Sequence, residues 1–133
     1  MKNPYILILD HEAETKAFLK TFLINQGFEV SVARGEAMLA STIEKLKPDI
    51  LIIDQPLYDI GLLELLVQYH ETAMIFISSI PPESLVHYRR LKQFRKQSNF
   101  AFLEKPLQED ELLNSIRTLT GLTTSEKTKK RDQ

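Results

Sequence analysis

The chain has 133 residues, 43% of them hydrophobic and 26% charged, which suits one compact domain with a real core and is too little for two. A formal net charge of −1 gives no overall attraction to nucleic acid or to an anionic membrane, and the absence of cysteine excludes disulfides, thiolate metal sites and thiol nucleophiles. The first apolar run is too short for a signal peptide and no stretch approaches a membrane span, so a cytoplasmic protein is the expected setting.

Strand-length apolar runs alternate with helical patterns along the chain. Ile6-Leu7-Ile8-Leu9 is continuous and half β-branched, which suits a strand buried on both faces, and it ends at Asp10. Residues 12–26 predict a helix with Phe18, Leu19, Phe22 and Leu23 on its inner stripe and Gly27 as its stop. Phe28 to Val32 alternates like a strand nearer a sheet edge. A second helix begins near Glu36, with Met38, Leu39, Thr42, Ile43 and Leu46 inward, and Pro48 bars its continuation.

Ile50-Leu51-Ile52-Ile53 repeats the pattern of the first strand and also ends in an aspartate, Asp54. A short helix is expected from Gly61 to about Tyr69, a fourth strand from Met74 to Ile77 and a fourth helix opened by Pro82. Phe100 to Leu103 is the fifth strand and Asp110 to Leu119 the last helix, closed by Gly121. Residues 1–121 therefore read as one domain, and 122–133, rich in Thr, Ser and Lys without apolar periodicity, as a disordered tail or the start of a linker.

Five strands alternating with five helices imply an α/β, doubly wound, flavodoxin-like parallel sheet with helices on both faces. In the common order 2-1-3-4-5, the first and third strands lie side by side at the switch point, where ligands bind. Asp10 and Asp54 should then share one crevice, joined by Ser78 after the fourth strand and Lys105 after the fifth. These groups suit phosphoryl transfer to a carboxylate, with Asp54 as nucleophile, carboxylates to hold a hard divalent cation, and Lys105 as a point positive charge. Ser78 would donate to a phosphoryl oxygen.

Ile6-Leu7-Ile8-Leu9-Asp10-His11-Glu12, Asp49 to Asp54, Ile75-Phe76-Ile77-Ser78-Ser79 and Phe102-Leu103-Glu104-Lys105-Pro106-Leu107 together resemble the four ordered motifs of response-regulator receiver domains, over roughly residues 4–121. The resemblance implies a phosphoacceptor signalling domain rather than a conventional enzyme, with self-catalysed phosphotransfer and dephosphorylation. Its phosphoacceptor is Asp54, charged by a histidine kinase or phosphotransfer protein. Lys105 pairs with the phosphate, Ser78 swings toward it, and Phe102 is the aromatic whose rotamer follows. The Lys105-Pro106 bond matches a position that is cis in the family. Magnesium would be held by Asp10, Asp54 and the Pro56 carbonyl. In the family the fourth helix, fifth strand and fifth helix form the output or homodimer face, here carrying Tyr88, Arg89, Lys92, Arg95 and Phe102. No membrane partner is implied, and no recognition-helix pattern points to nucleic-acid binding by this domain.

Departures from the family pattern support a second reading. His11 replaces the usual acid, and imidazole suits Mg²⁺ poorly, so magnesium affinity should be weak. Glu12 is not expected to substitute, because at a helix start its side chain should point elsewhere. Pro56 has no N–H to offer a phosphate, and the loop after Asp54 is short. The alternative is a degenerate receiver that binds proteins independently of phosphorylation. Simpler roles also exist for single residues: Asp10 as a cap for the next helix, and the basic run from Arg89 to Lys96 as a solvated helix face. A flavodoxin-like hydrolase or cofactor protein ranks lower, for want of a phosphate-cradling glycine loop or a nucleophile elbow.

Overall fold

A computed structural model describes residues 4–10, 12–54, 64–66, 68–69, 71–81 and 99–121. Five strands form one parallel sheet in the order β2-β1-β3-β4-β5: β1 (Tyr5–Asp10), β2 (Glu29–Val32), β3 (Ile50–Asp54), β4 (Ala73–Ser78) and β5 (Phe100–Glu104). Among the described residues the helices given with both ends are α1 (Ala13–Asn25), α2 (Leu39–Leu46) and α3 (Glu109–Thr120), with a 3₁₀ turn at Glu36–Met38. The expected strand order and parallel pairing are thus present. The expected third helix is described only at 64–66 and 68, and the fourth lies outside the described residues, as does the tail.

The period-2 pleat sorts the central strands onto two faces. Leu7, Leu9, Leu51, Ile53, Met74 and Phe76 pack with Leu39 and Ile43 of α2 and with Leu66. Ile6, Ile8, Ile50, Ile52, Ile75 and Ile77 pack on the opposite face with Leu19 and Leu23 of α1 and Leu112 and Ile116 of α3. Continuous apolar runs were needed for this, because every position of β3 is buried whichever face it addresses.

The helix ends follow local chemistry. Gly27, just past α1, has φ 96°, and its neighbour Phe28 donates its N–H to the Leu23 carbonyl at 3.1 Å. Lys47 closes α2 at φ 49°, a left-handed turn that keeps it out of the helical region disfavoured before Pro48.

Two inward assignments are corrected. Met38 is 54% exposed, because it lies in the tighter 3₁₀ turn and is rotated off the inner stripe of α2. Phe18 is 39% exposed; Leu19 and Leu23 fill the core, while Phe18 stacks on Phe22 at 5.7 Å along the margin of α1. Away from the site, the Tyr69 hydroxyl donates to Glu44 Oε2 at 2.8 Å, tying the segment after Leu66 to α2.

Candidate functional site

The site stands at the C-terminal ends of β1, β3, β4 and β5. Asp10 and Asp54 are register partners across the β1–β3 pair, which brings the two carboxylate-bearing residues side by side. Both are buried, at 7% and 2% exposure. Charges so enclosed require polar or ionic partners. Lys105 supplies one, with Nζ 2.8 Å from Asp54 Oδ2.

Lys105 is aimed there by the sheet. Its backbone N–H donates to the Ser78 carbonyl at 2.9 Å, extending the β4–β5 ladder by one residue, and the following Lys105-Pro106 bond is cis, as the resemblance implied. Ser78, half-buried, accepts the Ile80 N–H on Oγ at 2.9 Å. This local turn fixes the oxygen at the strand end and is a structural role alongside any switch role. Phe102 is partly buried against the α2-side core.

Asp10 also has the simpler role foreseen for it, in modified form. Its Oδ1 accepts the Glu12 N–H at 2.7 Å, forming a turn just before α1 rather than capping α1 directly. Glu12 is itself the N-cap residue, with extended dihedrals of φ −105° and ψ 122°. The expectation for its side chain is therefore corrected. Not yet helical at this position, Glu12 sends Oε1 to within 2.8 Å of Lys105 Nζ, so one ammonium bridges Glu12 and Asp54. The missed signal was the Asp-x-Glu spacing, in which an aspartate turn delays the helix by a residue.

Burial works against the Lys105 ammonium, but hydrogen bonds to Asp54 and Glu12, with their Coulomb attraction, outweigh it and raise its pKa above the ordinary lysine value. The folded chain thus holds this proton more tightly than the unfolded chain. The stabilisation is complete below the ordinary value, about 10.4, and is lost as pH rises through the raised one. Chemical denaturation between about pH 8 and pH 11 should show that alkaline loss in the wild type and a shallower one in Lys105→Met. Equal slopes would remove the pair as its source.

Magnesium takes hard oxygen ligands, retains several waters and is commonly held by one or two carboxylates. Asp10 and Asp54 offer such donors side by side, so the donor set fits. Among the described residues there is no group of three or more His, Cys, Asp or Glu side chains that could hold a metal ion. His11 and Pro56 lie outside the described residues, as do Tyr88, Arg89, Lys92 and Arg95 of the expected partner face. Among the described residues no helix is long and apolar enough to cross a membrane.

A doubly wound sheet with paired aspartates at its switch point and a lysine after the last strand defines a class of strand-end acidic sites. More particularly, the fold is that of response-regulator receiver domains. The signal receiver domain of a modulated diguanylate cyclase from Desulfovibrio desulfuricans aligns over 94% of this chain and 99% of its own, at 24% identity and a TM-score of 0.73. The receiver domain of a Francisella response regulator covers 90% of this chain and 98% of its own, at 25% identity and 0.70. The receiver domain of a Pseudomonas aeruginosa sensor histidine kinase, solved with a magnesium ion coordinated in its active-site cleft, covers 90% and 98%, at 14% identity and 0.70. No protein-family model matches the chain, and no curated protein does.

Proposed function

We propose that the chain is a two-component receiver that accepts a phosphoryl group on Asp54 from the phosphohistidine of a histidine kinase or phosphotransfer protein. The observation that carries this reading is the 2.8 Å contact between Lys105 Nζ and the buried Asp54, beside Asp10 at the switch point. A carboxylate oxygen of Asp54 attacks phosphorus; the new O–P bond forms as the P–N bond breaks, and the departing imidazole nitrogen takes up a proton. Lys105 balances charge on the phosphoryl oxygens, while Asp10 and Asp54 would hold a divalent cation, which supplies further neutralisation when bound.

The Ser78 O–H at the end of β4 would donate to the new group, and Phe102, the register partner of Phe76 across the β4–β5 pair, would carry the change toward the partner face. An altered face around Phe102, Tyr88, Arg89, Lys92 and Arg95 would then change preference for an output protein, an output domain or a second copy. The setting proposed is the cytoplasm, with no nucleic-acid contact by this domain.

The test is incubation with Mg²⁺ and a small phosphodonor, or with beryllofluoride as a phosphoryl mimic, read by mass spectrometry and NMR. A single adduct that disappears in Asp54→Asn is expected. A folded wild type that gives no adduct at high Mg²⁺ would instead favour the phosphorylation-independent binding module, the reading supported by His11 in the place of the usual acid.

A further inference from the structure

Glu12 is held in place by more than its contact with Lys105. Its N–H donates to Asp10, its carbonyl accepts the Lys16 N–H at 3.0 Å, and Thr15 Oγ1 donates to Glu12 Oε1 at 3.0 Å. The carboxylate is thereby turned toward Lys105, whose backbone is anchored in turn to Ser78. The ammonium has three N–H donors and touches two carboxylates of very different exposure. The Glu12 side chain is 52% exposed and that of Asp54 is 3% exposed.

We infer that Glu12 is a positioning residue that latches Lys105 beside Asp54 in the resting protein and must yield it when a phosphoryl group arrives. This rests on the phosphoacceptor reading of Asp54 and adds to it a regulation of the same site. A phosphoryl group on Asp54 brings several oxygens to an ammonium with three donors, and turning those donors toward it draws Lys105 off Glu12. Water can replace Lys105 at the exposed carboxylate at small cost, so Glu12 is the partner released. The latch keeps the cation within reach while lowering the occupancy of the phosphorylated state.

Beryllofluoride binding at saturating Mg²⁺, followed by fluorine NMR in the full chain, tests this in the wild type, Glu12→Gln and Glu12→Asp. Both substitutions are at a half-exposed side chain, and circular dichroism should report unchanged folding. Glu12→Gln is expected to bind about 2- to 5-fold more tightly, the size of an exposed ion pair. Glu12→Asp keeps the charge but is one methylene shorter and loses the contact, so it should match Glu12→Gln. Wild-type affinity in Glu12→Gln would overturn the latch, and wild-type affinity in Glu12→Asp alone would do so by assigning the effect to charge at a distance. An adduct in the wild type with both variants unchanged would leave Asp54 as phosphoacceptor. No adduct in any of the three would overturn both readings.

Discussion

Lys105→Met is expected to destabilise the folded chain at neutral pH by about 1–3 kcal/mol, and to cost less than about 1 kcal/mol when Asp54 is already asparagine. Removing one member of a fully buried ion pair typically costs about 3–5 kcal/mol, because the other charge is left enclosed. Here the Lys105 side chain is 23% exposed, so water screens part of the interaction and the lower range applies. The loss should still be large for a single surface-facing lysine, since Asp54 has Asp10 as its register partner and the ammonium is what offsets that crowding of carboxylates. Urea denaturation of the wild type, both single variants and the double variant gives the coupling directly. Equal costs of Lys105→Met in both backgrounds would show that the contact at Asp54 is not the source.

Phe76→Ala should be the most damaging substitution in the sheet, at about 3–5 kcal/mol, whereas Phe18→Ala should cost about 0.5–1 kcal/mol. Phe76 is 2% exposed in the middle of β4 and meets Phe100 of β5 edge-on, with centroids 6.0 Å apart. Its removal leaves a cavity in the core that the flanking β-strands cannot collapse to fill. Phe18 borders an open cleft of about 350 Å³ lined by Glu14, Thr15, Lys105, Pro106 and Leu107, and chiefly loses its stacking on Phe22. Thermal or urea unfolding measures both. Comparable losses would contradict the burial difference on which the corrected face of α1 rests.

The sheet was legible because its information is carried by runs rather than single residues. Ile6 to Leu9 and Ile50 to Ile53 fill both faces without interruption, so neither could be an edge strand; right-handed crossovers required one reversal of winding, and the order expected was the common one for such sheets. Asp10, Asp54 and Lys105 were legible as a site because they sit at strand ends, where parallel register dictates proximity. Helix phase was less readable. Met38 was misplaced by a 3₁₀ turn that no apolar spacing announces, and Phe18 because a four-residue stripe does not say which member sits at its edge. Glu12 was misread for a backbone reason: one extended residue before α1 redirects its side chain toward a lysine 93 residues away.

The strand register between Asp10 and Asp54 has a consequence for how occupancy and folding are linked. The two carboxylates come from separate strands and the ammonium from beyond a third, so no contiguous stretch of this chain contains this crevice. Any ion or anion that binds there recognises only molecules in which β1, β3 and β5 have all been assembled. By mass action such a ligand stabilises the whole fold by RT ln(1 + [L]/Kd), about 2.7 kcal/mol at a hundred times Kd. Binding at the crevice is thus a readout of global integrity, and resistance to unfolding is a measure of how often the crevice is filled.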